Sequence, residues 1–225
     1  MADRTVAPAI REKVASSGDR FWRPSDFCGS PDAVAKALSR LADAGELRRV
    51  RRGLYWHGTP TRLGMAPPSP ARLAEEVVGS SGIGPAGLSA ALALGLATQV
   101  PRFDMISVPG RVPRNPGAVR LVSRAASTKR RSERLRPAEV ALLEVLRDWA
   151  GLVELPAPDA ADRVAGLLDD GSIRVDKLVR ASATEPPRVR ERLRHLLRAV
   201  SRPDAANAVL PARSRSIRGD LAIAG

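Results

Sequence analysis

A single cysteine, Cys28, stands in 225 residues, so no internal disulfide can form. Histidine is almost as scarce. His57 and His195, with one thiol, are too few to build a His/Cys metal site, and no H-E-x-x-H occurs. No run of eighteen apolar residues exists, which argues against a transmembrane helix. "MADRTVAPAIREK" at the N-terminus has neither the apolar core nor the cleavage site of a secretory signal. These absences predict a cytoplasmic protein with no membrane partner. No G-x-S-x-G elbow is found, and "GSSG" at Gly79 to Gly82 lacks nearby paired acids of the kind that hold magnesium. Asp169-Asp170 lies where a helix ends and does not make a site alone. Nothing forms a catalytic constellation, so neither an enzyme nor a cofactor is expected.

Positive charge is what the chain has in excess. Its formal net charge is +13, carried mostly by arginine. Such a balance favours a polyanionic partner, most simply nucleic acid, although an arginine- and alanine-rich composition also follows from a GC-rich genome. The charge is patchy. Residues 1–60 carry about +4, residues 101–140 and 171–225 about +7 each, and residues 141–170 about −5.

Aromatics are few, and two of them sit in "GELRRVRRGLYW", Gly45 to Trp56. Leu47, Val50, Leu54 and Trp56 are the apolar positions. Arg48, Arg49, Arg51 and Arg52 fill the gaps, and Gly53 suits a turn, so the stretch predicts a basic hairpin. Upstream, Ala7 to Ser16 reads as a helix with Ile10 and Val14 one turn apart. Phe21, Trp22 and Phe27 are candidate core, and Pro24–Phe27 suits one short helical turn. Ser30 as N-cap, Pro31 at the first helical position and Gly45 past the end frame a helix of about fourteen residues. Val34, Leu38 and Leu41 share one face of it. Asp32, Lys36, Ser39, Arg40 and Asp43 lie roughly opposite.

Helix, short helix, capped helix and basic hairpin, in that order, predict a winged helix-turn-helix domain over residues 1–62. The capped helix would enter the major groove. Ser30, Lys36, Ser39 and Arg40 are its candidate DNA contacts, and Arg48, Arg49, Arg51 and Arg52 would hold the backbone or probe the minor groove. The plainer alternative is an ordinary solvated helix face beside a basic edge hairpin.

"GTPTRLGMAPPSP", Gly58 to Pro70, reads as a linker, followed by a short helix from Pro70 to Val78. "GIGPAG", Gly82 to Gly87, matches G-x-G-x-x-G, but "LAEEVV" before it is helical and Pro85 sits inside the loop. A turn feeding a tightly packed helix, Ala86 to Leu94, is the better reading. Phe103–Val108 and Ala118–Ser123 read as two strands. Arg111, Arg114, Lys129, Arg130 and Arg131 in and after their connection form a candidate second phosphate-binding surface, or a solvated basic loop.

Four helices follow: "PAEVALLEVLRDWAG" with Val140, Leu143, Val145, Leu146 and Trp149 on and beside one face, the acidic "PDAADRVAGLLDDG", "SIRVDKLVRAS", and the arginine-rich "TEPPRVRERLRHLLRAV". His195 reads as surface or partly packed. Residues 63–202 are thus expected to be a mixed, mainly helical domain with a small strand pair, and 203–225 a flexible tail. The fold class expected is α+β.

"AVAKALSRLADAGELRRVRRGLYW", then "GPAGLSAALALGLATQVP", "ISVPGR" and "VRLVSR", resemble in that order the AbiEi family of antitoxin-type transcriptional regulators. The resemblance covers about residues 5 to 150, and the "GLSAALALGLATQVP" segment with the strands after it is its discriminating part. It implies a repressor that binds repeats in its own promoter and an antitoxin that counters a nucleotidyltransferase-like toxin of AbiEii type. The expected partners are therefore double-stranded DNA and that cognate toxin. The readings from other classes are a protein-interaction module that docks its basic faces on an acidic partner, and a DNA-acting nuclease, for which the acids are too scattered.

Overall fold

The computed structural model describes residues 6–62, 64–112 and 119–212. The chain divides into two compact units, Met1–Arg72 and Leu73–Gly225. Both mix helices with small sheets, so the fold class is α+β. Among the described residues no helix is long and apolar enough to cross a membrane.

The first unit begins with helix α1 (Val6–Ala15), strand β1 (Arg20–Trp22) and one 3₁₀ turn (Pro24–Asp26). Helix α2 (Pro31–Asp43) follows, then the hairpin of β2 (Arg48–Arg51) and β3 (Leu54–His57). Ser30 caps α2 by accepting from the Ala33 N–H at 3.3 Å. At the other end Gly45, at φ +76°, lets the Glu46 N–H reach the Leu41 carbonyl and its own N–H reach that of Ala42. This pairing is the Schellman motif. It ends the helix and aims the chain into β2.

The strand order is β1-β3-β2, all antiparallel. Pleating sends Trp22 and Tyr55 to one face, where they pack with Ile10, Val14, Val34, Leu38, Leu41 and Leu47. Each fully buried leucine or valine here stabilises the unit by about 1.5–3 kcal/mol. Phe21 and Trp56 take the other face, their rings 4.8 Å apart. The expected linker covers them. Its residues form the short hairpin β4 (Pro60–Thr61) and β5 (Gly64–Met65), and the Trp56 indole N–H donates to the Ala66 carbonyl at 2.9 Å. The unit therefore runs on to Arg72 instead of ending near 62. Helix α3 (Pro70–Val78) spans the division.

The second unit holds β6 (Gly84–Pro85), α4 (Leu88–Leu94), β7 (Met105–Val108), β8 (Arg120–Ser123) and the single turn α5 (Lys129–Ser132). Helices α6 (Pro137–Val145), α7 (Trp149–Leu152), α8 (Ala157–Asp169), α9 (Val175–Ser182), α10 (Pro187–Ala199) and α11 (Pro203–Ala208) complete it. The expected strand pair is part of a three-stranded sheet, β6-β7-β8, in which β7 and β8 run parallel. Ala118, the expected first residue of the last strand, lies outside the described residues. The expected single helix from 137 to 151 is broken at Asp148 into α6 and α7. Every residue of α6 from Glu139 to Val145 is buried, so it is a central helix and not a one-faced one.

Residues 203–225 are not all tail. Ala206 of α11 and Val209 are buried in the helical core, which holds residues 203–209 in place. Residues 213–225 lie outside the described residues. The first two glycines of "GIGPAG" are required by packing. A Cβ on Gly84 would stand 2.7 Å from the Pro137 carbonyl oxygen and 2.8 Å from the Val140 Cβ. One on Gly82 would meet the Arg130 backbone at 2.6 Å.

Candidate nucleic-acid interface

Helix α2 buries Val34, Ala37, Leu38 and Leu41 and leaves Lys36 and Arg40 exposed one turn apart. Ser39 beside them is half-buried, and the Ser30 hydroxyl is occupied by its cap. The candidate helix contacts that reach solvent as free cations are therefore Lys36 and Arg40. Arg40 also flanks an open groove of about 560 Å³ between α1 and α2, floored by Ala37 and Leu41, with Arg11 across it. Arg11 is a cation the sequence reading passed over. It pairs with Glu46 at 2.7 Å and so ties α1 to the start of the hairpin.

The four hairpin arginines do not act alike. Arg49 stands opposite Tyr55, on the sheet face packed against α1 and α2. Arg48 stands opposite Trp56, on the far face, and donates to the Met65 carbonyl at 3.2 Å. Arg51 is opposite Leu54, beyond a register shift that adds one residue to β2, and is half-buried. Arg52 is exposed beside Gly53, whose φ of +72° closes the turn. Of the exposed cations near α2, Arg11 and Arg48 are engaged within the unit, which leaves Lys36, Arg40, Arg49 and Arg52.

The candidate second surface is only partly a surface. Arg111, Lys129 and Arg131 are exposed, and Arg114 lies outside the described residues. Arg130 is a correction: it is fully buried. Three successive residues on one helical turn point about 100° apart, so one of Lys129-Arg130-Arg131 must face inward. Arg130 can do so because two carboxylates meet it, Glu144 at 2.6 Å and Glu185 at 2.6 Å. Arg124 pairs with Glu144 and Arg147 with Glu185, each at 2.7 Å, and the Ser107 hydroxyl joins Glu144 to Arg130.

Burial pushes the Glu144 carboxyl up, but Arg124 and Arg130 outweigh it and hold the group below the usual carboxylate range. Glu139 is held low in the same way. Burial is outweighed by Arg174 and by the Arg136 and Arg174 backbone N–H groups. For Arg130, burial is overcome by Glu185 and Glu144, which keep the guanidinium charged.

The arginine-rich helix α10 is also largely committed inside. Arg192 donates to the Leu146 and Arg147 carbonyls at 3.0 Å each, and Arg188 donates to that of Arg147. These are carbonyls at the end of α6, where cations are favoured.

A family model described as a family of unknown function, DUF6088, matches residues 20–129, from β1 to the start of α5. Among solved structures the chain is similar to that of the RV2827C protein from Mycobacterium tuberculosis. Identity is 21%, the match covers 92% of this chain and 81% of that one, and the TM-score is 0.53, a likeness of fold. No curated protein matches the chain.

Proposed function

We propose that the first unit is a winged helix-turn-helix that binds double-stranded DNA, with α2 as the recognition helix and β2–β3 as the wing. One observation carries this reading. A capped helix exposing Lys36 and Arg40 runs, through a Schellman turn, into an antiparallel hairpin that exposes Arg49 and, at its tip, Arg52. Arginine bonds guanine bidentately in the major groove, and cations at a hairpin tip neutralise phosphate. In this reading the chain represses its own promoter and acts as an antitoxin against a nucleotidyltransferase-like toxin. The resemblance of residues 87–101 and the strands after them supports that part.

The test is a titration against the duplex upstream of the chain's own coding sequence, with a scrambled duplex as control, at two salt concentrations. A specificity ratio of about 10³ or more with a steep salt slope is expected. Equal, weak binding to both duplexes would leave the hairpin as scaffold. Growth rescue on co-production with the cognate toxin tests the antitoxin role.

A further inference from the structure

Among the described residues the large apolar side chains left exposed are Leu92, Val100, Phe103 and Leu210, and the first three fall in one short stretch. Val100 is 82% exposed and Phe103 41%. The stretch is held in place. The Glu154 carboxylate accepts from the Thr98 N–H and hydroxyl at 2.8 Å each, and the Glu154 N–H donates to the Leu96 carbonyl. Beyond Phe103, the Met105 N–H donates to the Ser89 hydroxyl at 3.1 Å. The guanidiniums of Arg120 and Arg102 stand 4.3 and 5.3 Å from the Phe103 ring centroid. Aromatic and arginine side chains, already ordered, are what binding hot spots are made of, and prior order lowers the entropy cost of association.

The opposite sign lies beside this loop. Glu154 leads into α8, on which Asp159 and Asp162 are exposed. Arg163 of α8 donates to the Leu94 carbonyl at 2.8 Å, at the end of α4. Asp159, four residues before Arg163, is on the same stripe of the helix. The bonds of Thr98 to Glu154 and of Arg163 to the Leu94 carbonyl thus bind both ends of this apolar, cationic stretch's base to the acidic start of α8. A face with an apolar centre and both signs of charge can match its own copy through a two-fold axis.

We propose that this face joins two copies of the chain in an isologous dimer. Val100 and Phe103 of each copy pack near the axis, and Arg102 of each meets Asp159 of the other. A second copy fits better than other occupants because both signs are used. A polyanion would be repelled by Asp104, Asp159 and Asp162, and an acidic protein would match only the loop.

Sedimentation of the full chain without DNA, over a range of micromolar concentrations, tests this. The wild-type chain should pass from monomer to dimer. Val100→Glu should weaken the dimer at least about tenfold with its circular dichroism unchanged, and its Tm unchanged at a dilution where both chains are monomeric. Arg102→Glu and Asp159→Arg should each do the same, because each sets like charges against one another. Mixing these two variants should restore a dimer to within a few fold of wild type. In the mixture the reversed charges face one another and the original pair faces its original partner. A wild-type chain that stays monomeric throughout, or a dimer indifferent to all three substitutions, overturns the proposal. A mixture that stays monomeric overturns the pairing of Arg102 with Asp159. Because no DNA is present, failure here and failure of the DNA-binding reading are separate results.

Discussion

Arg48 and Arg52 stand on one hairpin, yet only one of them has an unengaged guanidinium. Arg48 is bonded to the Met65 carbonyl, whereas Arg52 is exposed at the turn. Arg40 is exposed on α2. Three alanine variants should therefore differ in kind. Arg40→Ala is expected to cost about 1–3 kcal/mol on the cognate duplex and to relax specificity at one base pair. Arg52→Ala should weaken all duplexes alike and lower the salt slope by about one. Arg48→Ala should leave the salt slope unchanged and lower Tm. Anisotropy titrations at several salt concentrations separate the three, and an equal loss on every sequence for Arg40→Ala would remove its base-reading role.

The buried acids make a prediction of the same scale. Glu139 and Glu144 have folded pKa values below their unfolded ones, which lie near about 4.3. Their contribution is therefore complete above that pH and is lost as pH falls through the lower folded values. Tm should hold from neutral pH to about 5 as far as these groups decide, then drop below about 4. Glu144→Gln should cost about 3–5 kcal/mol at neutral pH, because it leaves Arg130 underpaired in the interior, and should flatten the acid drop. An acid drop unaltered by the substitution would assign it to other groups.

Elements differed in how openly the sequence announced them. Helix α2 was legible from Ser30, Pro31 and Gly45 because capping is local chemistry, and its bounds, Pro31–Asp43, match that reading. Helix α6 was not. Its two glutamates suggest a wet face, and their burial depends on Arg174, Arg124 and Arg130, which only the tertiary fold brings near. The second glycine of "GIGPAG" was read as a turn, and its cause is also tertiary: β6 lies directly on the start of α6. Gly84→Ala should thus overpack this contact and destabilise the chain by about 1–3 kcal/mol or more. Gly166→Ala, within α8 where an added Cβ meets nothing within 4 Å, should instead stabilise by up to about 1 kcal/mol. Thermal or urea denaturation of the two variants gives opposite signs if the packing is as described.

For the whole molecule, net charge proved a poor guide to which cations are free. Residues 171–225 carry about +7 in the sequence, but Arg188, Arg190 and Arg192 spend donors on carbonyls of their own unit. Arg130 is withdrawn into the interior, so of the candidate second surface the cations left among the described residues for an outside phosphate are Arg111, Lys129 and Arg131. If they contact DNA, each adds about 0.9 to the slope of log affinity against log salt. The combined variant Arg111→Ala, Lys129→Ala, Arg131→Ala should then reduce the slope by up to about three per bound chain while leaving the specificity ratio intact, since phosphate contacts carry no sequence information. Its fold should survive, because all three side chains are exposed and their removal opens no cavity. A slope equal to that of the wild-type chain would exclude Arg111, Lys129 and Arg131 from the DNA contact and strike out the candidate second phosphate surface.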